Sequence, residues 1–155
     1  MRSLVIEGYA SLFGVEDLAG DVVRAGAFSR TLLRHSGGEG GGVGMLLSHV
    51  GGRTAGRWTT LREDGRGLFV RGMVSGETIA GATALSMIGS GGLDGLSIGF
   101  VARDWSPRVV RGRELKEIEL REISLVSAPM LTGARFAAVG AAVGNVVKIR
   151  VMKAS

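Results

Sequence analysis

Cysteine is absent from this chain of 155 residues, which excludes disulfides, thiolate nucleophiles and zinc sites built on thiolates. Histidine is scarce: His35 and His49 are the only two, too few for a histidine-rich metal centre. No apolar run approaches the roughly 20 residues that cross a bilayer. The early run Leu4-Val-Ile6 stops at Glu7, too soon for the apolar core of a signal peptide. These absences predict a soluble, cytoplasmic protein with no metal, cofactor or membrane partner. Lysine is outnumbered by arginine, and the net charge of +5 is scattered. Its densest group, Arg108, Arg111 and Arg113, has a single aromatic neighbour, Trp105, so nucleic acid is not expected as the main partner.

What the chain has in excess is glycine, 27 residues against 2 prolines, on a background that is 45% hydrophobic. Such a chain can fill one core, and its glycines imply many turns and close backbone approaches. Strand-like alternation runs over 4–12, with Leu4, Ile6, Gly8, Ala10 and Leu12 on the core face. Residues 25–35 read as a short helix, with Ala25, Phe28 and Leu32 inward and His35 at its solvated end. The stretch 36–42 is a glycine-rich loop rather than a phosphate cradle, because no Lys-Ser/Thr pair or helix follows it. An apolar strand over 43–48 ends at His49. Strands over 57–61 and 68–74 form a hairpin around Asp64-Gly65. A second helix covers 77–88 and ends in Gly89, Gly91 and Gly92. Strands follow over 95–105 and 109–126, and Pro129 ends the last of them. Residues 140–155 form a tail in which Val147, Ile149 and Val151 alternate as a strand would. The expected fold is α+β and β-dominated: a closed or nearly closed barrel of six to eight strands flanked by helices, since closure removes exposed edges.

One constellation carries chemistry. Ser97 sits in Gly95-Leu-Ser-Ile-Gly-Phe100, where Gly95, Ser97 and Gly99 share a strand face and leave room for a substrate backbone. The alternation continues past the serine, so this is not the strand-to-helix elbow of other hydrolases. His49 stands where an apolar strand gives way to a loop, a common place for a catalytic base. The acidic run Lys116-Glu-Ile-Glu-Leu-Arg-Glu-Ile-Ser-Leu-Val126 supplies the third group. Glu117 and Glu119 share a face with Arg121. Glu122 falls in the row of Ile118, Leu120, Ser124 and Val126, where a carboxylate needs a partner such as a histidine N–H. A surface ion pair and a structural histidine remain the competing readings.

The segments Gly8-Tyr-Ala-Ser-Leu-Phe-Gly14, Gly20-Asp-Val-Val23, Gly26-Ala-Phe28, Leu46-Leu-Ser-His49, Glu63-Asp-Gly-Arg-Gly-Leu68, Leu93-Asp-Gly-Leu-Ser-Ile-Gly-Phe100 and Glu122-Ile-Ser-Leu-Val-Ser-Ala-Pro129 occur in this order. Together they resemble the caudoviral prohead protease family, which is similar in fold to the herpesvirus assemblin protease. The resemblance implies a protease domain over 1–139 with a tail over 140–155. It implies a serine endopeptidase with Ser97, His49 and Glu122 as catalytic residues. Major capsid protein and scaffold segments would be its substrates, inside a prohead assembling in the bacterial cytoplasm. It also implies a weak homodimer, for which the apolar helix 77–88, with small residues at Ala80, Gly81, Ala82 and Ala84, offers a surface. Two positions depart from the family pattern: Val50 follows the histidine where many members have Asp, and Pro129-Met-Leu-Thr-Gly133 lacks a late Asn. The loop 127–133 is the expected source of oxyanion donors. The rival readings are an inactive protease-like assembly module and a basic nucleic-acid-binding β-domain.

Overall fold

The computed structural model describes residues 2–35, 42–143 and 146–149. The glycine-rich stretch 36–41 and Val151 therefore lie outside the described residues. The chain forms β1 (Ser3–Leu12), β2 (Val22–Val23), α1 (Ser29–Arg34), β3 (Gly44–Leu47), β4 (Thr54–Glu63), β5 (Gly67–Ser75), α2 (Ile79–Gly89), β6 (Gly95–Pro107), β7 (Arg113–Val126), β8 (Phe136–Val143) and β9 (Val146–Ile149). All nine strands of the described residues join one mixed sheet. β7 is its longest strand. β6 lies antiparallel along one edge, while β2 and β3 share the other edge in parallel register. From β3 the order continues through β4, β5, β1 and β8 to β9.

This sheet is not a barrel, and the expected closure is corrected here. β6 stands at one end and β9 at the other. β6 meets the start of β8 only at the single bridge Gly95–Arg135. That bridge is antiparallel and lies at the start of both strands, so β6 and β8 run apart from it, and β8 pairs instead with β1 on one edge and, over its second half, with β9 on the other. Past Ser97, β6 borders a cavity instead of a neighbouring strand. β8 was not foreseen as a strand, and it runs through position 140 while paired to β1.

Local chemistry accounts for the elements. Asp64 accepts hydrogen bonds from the backbone N–H groups of Arg66 and Gly67, which turns the chain between β4 and β5. On β1 the register shifts between Tyr9 and Ser11. The bulge buries both Ala10 and Ser11, so the simple alternation ends there. Helix α1 is shorter than its sequence pattern and turns Phe28 and Thr31 inward, with Ala25 exposed. Thr31 donates to the Ile118 carbonyl and accepts from the Leu120 N–H, tying the helix to β7. The arginine group near Trp105 is held within the molecule: Arg108 bonds the Gly20 carbonyl, Arg111 bonds Glu16 and Arg113 bonds Asp21.

Helix α2 docks across β4 and β5 through Ala80, Gly81, Ala84 and Leu85. Its small residues serve this contact, while Ile79 stays 87% exposed. A Cβ at Gly81 would lie 1.7 Å from the Ser75 carbonyl oxygen, far inside van der Waals contact. Gly81→Ala is therefore expected to cost roughly 3 kcal/mol or more by overpacking, read as a lower midpoint in urea unfolding. An unchanged midpoint would mean that α2 can shift freely on the sheet.

Candidate active site

β6 and β7 place the serine and the acid. Ser97 lies directly opposite Ser124, and Gly99 directly opposite Glu122. Opposed residues of an antiparallel ladder share a face, so Ser97, Ser124 and Glu122 project to the same side. On the other edge of β7, β3 runs parallel with Leu46 beside Ser124 and Gly44 beside Glu122. β3 ends at Leu47, and both Ser48 and His49 adopt left-handed backbone, at φ 54° and 61°. The turn is fixed by the Ser48 N–H on the Leu125 carbonyl at 3.0 Å, and it brings the imidazole back against β7.

There His49 Nδ1 meets Glu122 Oε1. A carboxylate only accepts, so Nδ1 carries the proton of this contact, and in the neutral imidazole Nε2 is then the atom with the free lone pair. The His49 side chain is 42% exposed and that of Glu122 14%: the imidazole faces outward and its carboxylate partner is sheltered. The other Glu122 oxygen, Oε2, accepts from Ser124 Oγ at 2.6 Å. Ser124 Oγ in turn accepts the His49 backbone N–H at 3.0 Å. The remaining acids are engaged elsewhere: Glu117 pairs with Arg30, and Glu119 with Arg34, Arg103 and Arg121. The hydrogen bond from Arg103 holds the Glu119 carboxyl below its ordinary range against the opposing effect of burial. His35 sits at the end of α1 against Gly42, apart from this group.

Ser97 is 6% exposed. Its Oγ has no hydrogen bond, to His49 or to any other described residue. No buried side-chain N or O among the described residues lacks a partner, so this hydroxyl reaches open space. The flanking glycines leave less room than their type implies. A Cβ at Gly95 would strike the Pro129 ring at 2.8 Å, and one at Gly99 the Glu122 carboxylate oxygen at 2.2 Å. Gly99 is thus the position over which the acid lies. The sequence row gave Ser124 no role, since a serine in an apolar row carries no sign of what it bonds.

Beside Ser97 opens a cavity of about 240 Å³, walled by Leu12, Val23, Leu96, Phe100, Leu115 and Met130 among others. Its polar end holds Asp17 and the pair Asp21–Arg113. Asp21 accepts from the Arg113 backbone N–H and guanidinium, both at 2.8 Å. Burial raises the Asp21 pKa, but the bonds from Arg113 outweigh it and hold the carboxyl below its ordinary value. The pair therefore contributes its full stability above the unfolded carboxylate range. That contribution is lost as pH falls through the lowered value. Below about pH 4 the melting temperature should decline more steeply in the parent than in Asp21→Asn. Parallel curves for the two proteins would remove Asp21 from the acid response.

A model of the caudovirus prohead serine protease family matches residues 1–148. The chain belongs to this family. The prohead protease of Enterobacteria phage HK97 is 35% identical over 128 residues, covering 81% of this chain and 55% of the phage protein. The chain thus spans about half the length of that relative. Among solved structures, the KSHV protease in complex with a hexapeptide phosphonate inhibitor aligns at TM-score 0.55 and 12% identity, over 88% of this chain and 64% of that one. Varicella-zoster virus protease aligns at TM-score 0.50 and 13% identity, with the same coverage. At such identities the likeness is one of fold. The family read from the ordered motifs and its kinship with the herpesvirus protease fold both hold. No helix among the described residues is long and apolar enough to cross a membrane.

Proposed function

We propose that this family member is a serine endopeptidase that trims capsid and scaffold polypeptides during maturation of a phage-type prohead in the bacterial cytoplasm. The observation that carries the reading is the common face of the β6–β7 ladder. A serine hydroxyl without a hydrogen-bond partner shares that face with a sheltered carboxylate that holds the Nδ1 of a histidine. Ser97 Oγ attacks the scissile carbonyl carbon. His49 Nε2 takes its proton and passes it to the departing amine, and Glu122 stabilises the imidazolium that forms between these steps. Water then hydrolyses the acyl-enzyme by the same relay. The oxyanion draws on backbone N–H donors of the loop 127–133, whose Met130 and Leu131 reach the cavity. The cavity receives a substrate side chain against largely apolar walls, with Asp17 and the Asp21–Arg113 pair at its polar end.

The missing Ser97–His49 bond favours the rival reading, an assembly module without activity. Catalytic hydrogen bonds often tighten only when substrate is bound, so reactivity decides between the two. A peptide phosphonate ester should phosphonylate Ser97 in the parent and leave Ser97→Ala unmodified, as read by mass of the tryptic peptide. A parent protein that stays unmodified would favour the module.

The homodimer belongs to the same reading. With Ala80, Gly81 and Ala84 occupied by the protein's own sheet, the available face of α2 is that of Ile79 and the exposed Ala82 and Ser86. Weak pairing would make activity rise with local concentration, as inside a prohead. Sedimentation across a wide concentration range should show mass increasing with concentration. A constant monomer mass with constant specific activity would exclude it.

A further inference from the structure

We infer that Ser124 is a positioning residue, which locks the base and the acid of the site to one another through a single hydroxyl. The inference rests on the reading of Ser97, His49 and Glu122 given above. Ser124 is fully buried near the C-terminal end of β7. A buried serine in a strand needs only some acceptor nearby, and a neighbouring main-chain carbonyl would serve. Here the hydroxyl bonds both halves of the His49–Glu122 pair: Glu122 Oε2 at 2.6 Å and the His49 backbone N–H at 3.0 Å. The directions are fixed by chemistry. An amide N–H only donates and a carboxylate only accepts, so the one hydroxyl proton points to Glu122 and the lone pair receives His49.

Two consequences follow. The His49 N–H lies in a left-handed turn that a non-glycine residue adopts at some cost, and Ser124 supplies the acceptor that satisfies it there. The Glu122 carboxylate, held at Oε2, is left with Oε1 directed at Nδ1. Backbone and ring of the same histidine are thereby referenced to one buried atom, which sets the direction of Nε2. Ser124 also cannot substitute for Ser97 as the nucleophile, since its hydroxyl is enclosed and engaged on both sides.

The probe is an aryl peptide phosphonate, used on the full chain. Inactivation forms the Ser97 Oγ–P bond and breaks the P–O(aryl) bond, and the serine proton passes through His49 to the leaving aryloxide. Ser124→Ala should lower the maximal inactivation rate about 10²-fold, the scale of a misplaced catalytic group. The half-saturating concentration should stay unchanged, because no substrate contact is removed. In a Glu122→Gln background the same change should cost no more than about twofold, since residues acting as a unit are non-additive. A maximal rate equal to the parent's, or an equal loss in both backgrounds, would overturn the inference. Ser97→Ala is the control for the underlying reading: its continued inactivation would overturn that reading and this inference together. Amide hydrogen exchange needs no variant. The His49 N–H should be protected despite the exposed turn, and exchange at the unprotected rate would overturn the inference even if Ser124→Ala does not fold.

Discussion

Ser97→Ala and His49→Ala are each expected to lower cleavage of a co-expressed capsid protein by roughly 10⁶-fold, the loss typical of removing the nucleophile or the base of a serine-protease site. Both variants should stay folded. Ser97 Oγ has no hydrogen-bond partner to lose, and the His49 ring is largely outside the core, so neither change opens a cavity. The two substitutions combined should cost about what either costs alone, because each removes the same chemical step. N-terminal trimming of the capsid protein, followed by mass spectrometry with circular dichroism as the folding control, measures this. Processing at the parent rate by either folded variant would be decisive against the assignment.

Glu122→Gln should slow cleavage by roughly 10⁴-fold, the scale of losing the orienting carboxylate, while Glu117→Gln and Glu119→Gln change it little. Of the three acids only Glu122 touches the imidazole; the other two lie in arginine pairs across β7. The amide in Glu122→Gln can present N–H to Nδ1 and so favour the wrong tautomer. Gly99→Ala tests the same point from β6. Its Cβ would lie 2.2 Å from Glu122 Oε1, so the carboxylate must move off the histidine, for an expected loss of about 10²-fold. A greater loss from Glu119→Gln than from Glu122→Gln would show that the acid has been misassigned.

Much of the site was legible because strand periodicity is local. The spacing of Gly95, Ser97 and Gly99 put the serine and both glycines on one face, and the ladder keeps them there. Glu122 was set apart from Glu117 and Glu119 by the same parity, even though the register shifts between Gly99 and Phe100. The glycines themselves were misread. Sequence makes them open space, whereas Pro129 and Glu122 fill that space from residues some 20 to 35 positions away. Ser124 was invisible for a related reason, since its bonds reach a turn 75 residues earlier.

By itself the sequence determined a β-rich single core, the order of its main strands, the family, and the three residues proposed for chemistry. These rest on short-range alternation and on motifs that are contiguous in the chain. Only the tertiary structure decided that the sheet stays open, because closure depends on how distant edges meet: β6 and β8 touch at one antiparallel bridge at the start of both and run apart from it. The long-range contacts that seat α2 on its own sheet and aim the His49 ring at Glu122 were decided at the same level, since hydrogen bonds and packing between remote residues leave no periodic mark in the sequence.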